Sequence, residues 1–258
     1  MILVGTSGWQ YRDWRGVLYP EKLPQRLWLE YYAERFATVE LNNAFYRLPA
    51  LETFQGWRRR TPAGFVMAVK ASRYLTHIRR LREPEQPVAT LMERAVGLGD
   101  RLGPILLQLP PTLTADADAL SATLGCFRRG QRVAVEPRHE SWWTNEIRAV
   151  LERHNAALCW ADRLGPITPF WRTADFGYVR FHEGSEDLWP RYSREALAGW
   201  VGRVAEAFGA DADVYAYFNN DPDGVAVSDA RTLAALAADA GLPTTRVPET
   251  LIRSWGEG

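Results

Sequence analysis

Short apolar runs punctuate the chain, and polar stretches with helical spacing separate them. The first four are ILVG (2–5), TVELN (38–42), FVMAVK (65–70) and PILLQLP (104–110). The rest are RVAVE (132–136), ALCWAD (157–162), GYVRFH (177–182) and VYAYFN (214–219). Each has the length of a strand. Most are continuously apolar rather than alternating, the pattern of parallel strands buried on both faces. Residues 24–36 begin on a proline suited to a first helical turn and carry apolar residues at helical spacing. The segments 88–102, 117–128, 145–154, 194–208 and 230–241 read the same way, the last stopping at Gly241 and Pro243. A short helix is expected near 51–60, whereas 163–176 is too polar and proline-rich to assign. Eight strands with crossovers in 258 residues is the arithmetic of a TIM (β/α)8 barrel. A doubly wound open sheet is the weaker alternative. No linker or composition shift divides the chain, so residues 1–258 are expected to form one α/β domain.

In such a barrel the functional groups gather where strands end and βα loops begin. Those ends carry Thr6, Ser7, Gly8 and Trp9 at strand one, Glu40 and Asn42 on strand two, Lys70 on strand three and Gln108 on strand four. Strand five runs into Glu136, Arg138 and His139, and strand six into Asp162. Arg180 and His182 close strand seven, and Asn219 and Asn220 close strand eight. The opposite ends offer mostly Gly, Pro, Ala and Arg. A buried strand that opens into a polar mouth explains why VAVE is followed directly by PRH. Polar strand ends also have a purely structural use, since they meet water, and a pair such as Glu136 with Arg138 can be a structural ion pair.

Composition narrows the setting. The apolar share of 47% suits a soluble globular core, and no run of about 18 apolar residues suggests a membrane span. The opening MILVGTSGW lacks the basic region and long apolar stretch of a signal peptide, so a cytoplasmic location is expected. Cys126 and Cys159 lie far apart without a CxxC, which argues against a zinc ribbon or disulfide framework. Net charge is zero, so no overall basic footprint marks a nucleic-acid partner. The basic residues are skewed, however: of 31, only Lys22 and Lys70 are lysine. A GC-rich coding bias accounts for the skew. It also makes a retained lysine more informative, because arginine cannot replace a compact, deprotonatable amine.

The mouth residues suggest several chemistries. Glu40 and Glu136 can approach across the pore and divide acid and base roles if their environments separate their pKa values. Lys70 can depress a neighbouring carboxylate's pKa, hold an anion or act as a nucleophilic amine; the structural alternative is an ion pair with Glu40 or Glu136. His182 is the best placed histidine for proton transfer, His139 and His77 lie in mouth loops, and His154 reads as solvated. A His, Glu and Asp set can hold zinc or manganese, but no HxH or HExxH pairing supports one, and no metal ligand is assigned. Aromatic residues crowd the same loops, among them Trp9, Tyr46, Trp142, Trp171 and Trp189. They suit sugars and nucleobases, or serve as small satellite cores under the loops.

Seven collinear stretches span nearly the whole chain. They are GTSGWQYRDWRGVLYP (5–20), VELNNAFYRLP (39–49), VKASRYLTH (69–77), LLQLPP (106–111), VEPRHESW (135–142), RFHEG (180–184) and YAYFNNDPDGVAVSDA (215–230). In these the chain resembles the YecE-like family, also called domain of unknown function 72. The resemblance implies a TIM-barrel-like fold and a bacterial cytosolic setting, and it carries no reaction with it. Two departures from the family pattern stand out, Pro137 in place of an aromatic and Glu183 before Gly184.

Three functions remain open. The leading one is a hydrolase or lyase acting on a polyhydroxy or phosphorylated substrate. Glu136 and Glu40 would be acid and base, His182 proton shuttle, and Lys70 with Arg138 or Arg180 electrostatic stabilisers. Tyr46 and Trp142 would orient the substrate, with Trp9, Asn42, His77, Gln108, His139, Asp162, Asn219 and Asn220 completing the lining. The second is a metal-dependent phosphodiesterase resembling endonuclease IV-type barrels, with Arg73, Arg79, Arg80 and Arg82 tracking a nucleic-acid backbone. The third is a protein that binds a ligand without turning it over.

Overall fold

Each of the eight apolar runs forms a strand in the structure, a computed structural model that describes residues 1–162, 168–182, 184 and 190–253. The strands are β1 (Ile2–Ser7), β2 (Thr38–Leu41), β3 (Val66–Lys70) and β4 (Leu102–Gln108), then β5 (Val133–Glu136), β6 (Ala157–Ala161), β7 (Gly177–Phe181) and β8 (Val214–Phe218). They pair in sequence order, and β8 returns alongside β1 to close a parallel barrel. The helices are α1 (Trp28–Arg35), α2 (Asn43–Tyr46), α3 (Leu51–Arg59) and α4 (Glu85–Ala95), then α5 (Ala117–Gly125), α6 (Asn145–Arg153), α7 (Arg194–Phe208) and α8 (Val225–Asp239). This is the (β/α)8 barrel that the pattern predicts. No helix among the described residues is long and apolar enough to cross a membrane.

Two helix boundaries stand out against the expectation, and one stretch that the pattern left unassigned takes its own form. The helix expected over 88–102 winds as α4 only to Ala95, and a tighter turn carries the chain on to β4. Gly99, at φ 55° and ψ −125°, takes a conformation open to glycine and breaks the winding. α8 begins at Val225, earlier than residue 230, directly after the left-handed Gly224. Between β6 and β7 no helix occurs among the described residues. There the hydroxyls of Thr173 and Thr168 accept the Leu158 and Ala161 amides at 2.8 and 3.0 Å, and Trp171 O accepts the Trp160 indole.

Two apolar clusters divide the interior. The larger joins helix residues such as Leu29, Leu91, Leu120 and Leu197 to strand residues Val39, Val69, Leu107, Val135, Val179 and Phe218. The smaller draws on no helix; it contains Leu3, Ala68, Leu106, Ala134, Cys159, Tyr178, Tyr215 and Tyr217. It is therefore the barrel lumen. Small residues on β3, β5 and β6 leave room that the β7 and β8 tyrosines fill, and Tyr217 reaches Thr38 on β2 at 2.7 Å. Counting by twos along each strand extends this inward face to its last member. On β1 that member is Ser7, on β2 Glu40, on β3 Lys70, on β4 Gln108, on β5 Glu136 and on β7 Arg180. The register sets several side by side, Ser7 against Glu40 and Gln108 against Glu136. The strand period thus places a polar layer on top of an apolar lumen.

Candidate functional site

The centre of that layer is Arg180, 1% exposed, with the fully buried Glu40 and Glu136 on either side. Its Nη2 donates to Glu40 Oε1 at 2.8 Å and its Nη1 to Glu136 Oε2 at 2.6 Å. Glu40 also accepts from Tyr178 OH at 2.6 Å and from the Ser7 hydroxyl. Glu136 accepts from Gln108 Nε2 at both oxygens, 3.0 and 2.9 Å, and from Arg138 Nε at 3.0 Å. Such pairs survive burial only when nearly every polar atom is satisfied, as here. Arg180 Nε is the exception, buried without an acceptor among the described residues.

The charges shift one another. Burial works against ionisation of Glu136, but Arg180 and Arg138 outweigh it and hold the carboxyl well below the usual carboxylate range. Burial and the Glu40 charge push the Tyr178 phenol well up, so it remains a donor. Glu136 therefore stays ionised at neutral pH, and Arg180 stands between the two carboxylates as their shared counterion.

His182 continues the network outward. Its Nε2 lies 3.2 Å from Arg180 Nη1 and 3.7 Å from Glu136 Oε1, and its Nδ1 lies 3.1 Å from Asn219 Nδ2. Its backbone amide donates to Asp162 Oδ1 at 2.7 Å, and Tyr192 OH donates to the other Asp162 oxygen. Asn42 donates to Ser7 Oγ at 2.8 Å, leaving its own Oδ1 buried without a partner among the described residues.

Lys70 is placed differently. It is 8% exposed, and neither Glu40 nor Glu136 comes within ion-pair distance. Among the described residues its amine makes no hydrogen bond or ion pair, and it lies 4.2 Å over the Phe45 ring. Burial and the neighbouring Arg180 lower it to about 8. His77 meets the same Phe45 edge-on at 5.0 Å; burial, then Lys70, Arg138 and Arg73, lower its pKa too. Tyr46, next to Phe45, is 76% exposed at the rim.

The layer thus joins Glu40, Gln108, Glu136, Arg138, Asp162, Arg180, His182 and Asn219, with Lys70 and His77 beside it. Other expected lining residues are placed outside this layer. Trp9 is buried edge-on against Trp57. Trp142 is fully buried and donates its indole N–H to Leu113 O at 2.7 Å, so it packs the loop. Asn220 is tied to Asp229 at 2.7 Å and to Pro190 O at 2.8 Å. His139 caps the short turn 140–142, its Nδ1 accepting from Ser141 N. In the basic loop Arg79 pairs with Glu83 and Arg80 donates to Thr112 O, leaving Arg73 and Arg82 at the surface. Glu183 and Trp189 lie outside the described residues. Among the described residues no three His, Cys, Asp or Glu side chains converge as a metal-binding group. Ser7, one of the groups expected at the end of strand one, is part of the layer; Tyr178 is the contributor that the sequence reading missed, and counting back by two from Arg180 reaches it.

Residues 3–251 match the family described as Protein of unknown function DUF72. The chain belongs to the DUF72 family. Relatives of this DUF72 chain include UPF0759 protein YunF of Bacillus subtilis (strain 168), 23% identical over 92% of this chain and 94% of that one. UPF0759 protein YecE of Escherichia coli (strain K12) is 28% identical over 80% and 82%. A DUF72 family crystal structure from Thermotoga maritima superposes with a TM-score of 0.78 at 27% identity, covering 92% of this chain and 99% of that one. One from Enterococcus faecalis gives 0.78 at 18% identity over 99% of each, a likeness of fold.

Proposed function

We propose that this DUF72 protein is an enzyme whose barrel mouth takes a small anionic substrate, a phosphorylated polyhydroxy compound, for hydrolase or lyase chemistry. One observation carries the reading. Lys70 is a nearly buried amine with no counterion among the described residues, in a layer whose two carboxylates are already engaged by Arg180 and Arg138. A cation with little access to water and no counterion gains most from a partner, so the position favours an arriving anion. Arg138, with its side chain 17% exposed, offers that anion a second cation. The fixed Glu40–Arg180–Glu136 unit then acts as an electrostatic floor, held in place before the substrate arrives. His182, joined to Glu136 and Asn219, is the proton carrier. Tyr46 at the rim orients the polyhydroxy part. A cytoplasmic setting, where phosphorylated metabolites abound, belongs to the same reading.

The test is calorimetric and analytical. Wild-type protein is titrated with inorganic phosphate and with sugar phosphates beside their unphosphorylated parents, and mixtures are followed by mass spectrometry for consumption. Binding confined to the phosphorylated members and abolished in Lys70→Met is the expected result. Equal binding of the neutral parents would overturn the assignment.

A further inference from the structure

We propose that Lys70 is a covalent catalytic residue, its amine forming an imine with an aldehyde or ketone group on the substrate. The substrate class is then a phosphorylated carbonyl compound and the chemistry that of a lyase. This rests on the anionic-substrate reading above and goes a step further: Arg138 holds the phosphate once Lys70, as the free base, engages the carbonyl.

The argument begins with what the amine lacks. A lysine that served only as a positive charge would be expected to touch a carboxylate, and two stand on the same inward layer. Both are taken, Glu40 by Arg180, Tyr178 and Ser7, and Glu136 by Arg180, Arg138 and Gln108. The amine instead rests on the apolar face of Phe45 at 4.2 Å. Desolvation and neighbouring cations are the two means by which proteins make a lysine nucleophilic, and both operate here. Charged groups acting on it are Arg180 and Arg138, which disfavour its proton, and Glu40 and Glu136, which favour it; His77 lies across Phe45. The balance brings the amine to about 8, leaving a useful free-base fraction at neutral pH. Composition adds an independent pointer. In a chain that otherwise uses arginine almost throughout, this buried position keeps lysine, and guanidinium can supply the charge but not the nucleophile.

The step balances without a further reactant. The Nζ lone pair attacks the carbonyl carbon, forming a C–N bond as the C=O π bond opens. The nitrogen gives up one of its two protons and the oxygen takes one, giving a carbinolamine. A second proton lets that oxygen leave as water while the nitrogen lone pair closes the C=N bond, and loss of the remaining N–H proton leaves the neutral imine. Free amine and carbonyl thus become imine and water. Protonated, the imine accepts an electron pair from an adjacent C–C or C–H bond, which is the chemistry of a lyase. His182 and His77 are the neighbouring groups able to carry the protons.

The chain's own composition makes the experiment clean, because Lys22 is an exposed internal control. Wild-type protein is incubated with pyridoxal 5′-phosphate as a phosphorylated aldehyde probe, and separately with pyridoxal. Both are then reduced with borohydride, and peptide mass spectrometry reads labelling at Lys70, Lys22 and the Met1 amine. At pH 7 a pKa near 8 leaves roughly two-hundred-fold more free amine than an ordinary lysine has, so Lys70 should label far ahead of Lys22. Its labelling should rise with pH, pass its midpoint at about 8, level off roughly a unit higher, and be suppressed by inorganic phosphate. Lys70→Arg should keep phosphate binding and lose the label. Phosphate binding by calorimetry with Lys70 unlabelled would overturn the imine and leave the anion site standing. Equal labelling by both probes, unaffected by phosphate, would keep the imine and overturn the anion site. No selective label and no phosphate binding would overturn both.

Discussion

Arg180 and Lys70 are both inward-facing cations on the top layer of one barrel, each almost out of water, yet their surroundings are opposite. Arg180 has two buried carboxylates and a hydrogen bond to each. Lys70 has an aromatic face and no counterion among the described residues. The first cation is paired on both sides, with only its Nε lacking an acceptor among the described residues. The second stands in the same layer with no carboxylate in ion-pair reach. A buried charge with partners reads as architecture; one held without them is a cost to the fold that a ligand can relieve.

That contrast can be broken by substitution, since the two sites should respond with opposite signs. Arg180→Met strands two carboxylates in the lumen and is expected to cost about 3–5 kcal/mol in urea unfolding. A loss below 1 kcal/mol would mean that the network is not the frame of the mouth. Glu136→Gln should cost less, about 2–3 kcal/mol at neutral pH, because Gln108, Arg138 and Arg180 lose their shared acceptor charge. Its pH dependence follows from the sign of the shift. The folded carboxyl is held below its unfolded value, so its stabilisation is complete above about pH 5 and drains away as pH falls. The acid limb of the wild-type stability curve should therefore flatten in Glu136→Gln.

Lys70→Met should move the other way and stabilise the ligand-free protein by roughly 1–3 kcal/mol at pH 7. The folded amine releases its proton near 8, whereas the unfolded one holds it to about 10.4. Wild-type stability therefore rises between those values, and the advantage of methionine shrinks across the same interval. Destabilisation at every pH would show that the amine has a partner after all. The smallest effect is expected at Arg73→Ala. This exposed residue should change stability by less than about 0.5 kcal/mol while weakening phosphate binding measurably.

The fold was legible because a parallel barrel writes itself as repeated apolar runs, and all eight runs became strands. Helix limits were harder to read. Gly99 stops winding within a stretch whose apolar spacing continues, and the apolar Val225–Val227 follow a left-handed glycine that gives no warning of a helix. Strand ends located the mouth, but not who touches whom. Glu40 and Lys70 sit on adjacent strands, and sequence offered an ion pair between them. Arg180, five strands from β2, takes the carboxylate instead by crossing the lumen, a relation that only barrel closure creates. Tyr178 escaped notice because phenols in a strand look like core, and Trp9 and Trp142 drew notice because indoles near a mouth look like ligand platforms. Burial decides those cases, and one-dimensional patterns do not contain it.

Thr168 and Thr173, between β6 and β7, act as pegs on the barrel wall. Their hydroxyls hold the Ala161 and Leu158 amides of β6. Because β6 runs up to Asp162, whose carboxylate accepts the His182 amide, two threonine hydroxyls along the stave help to set the height of the histidine at its rim.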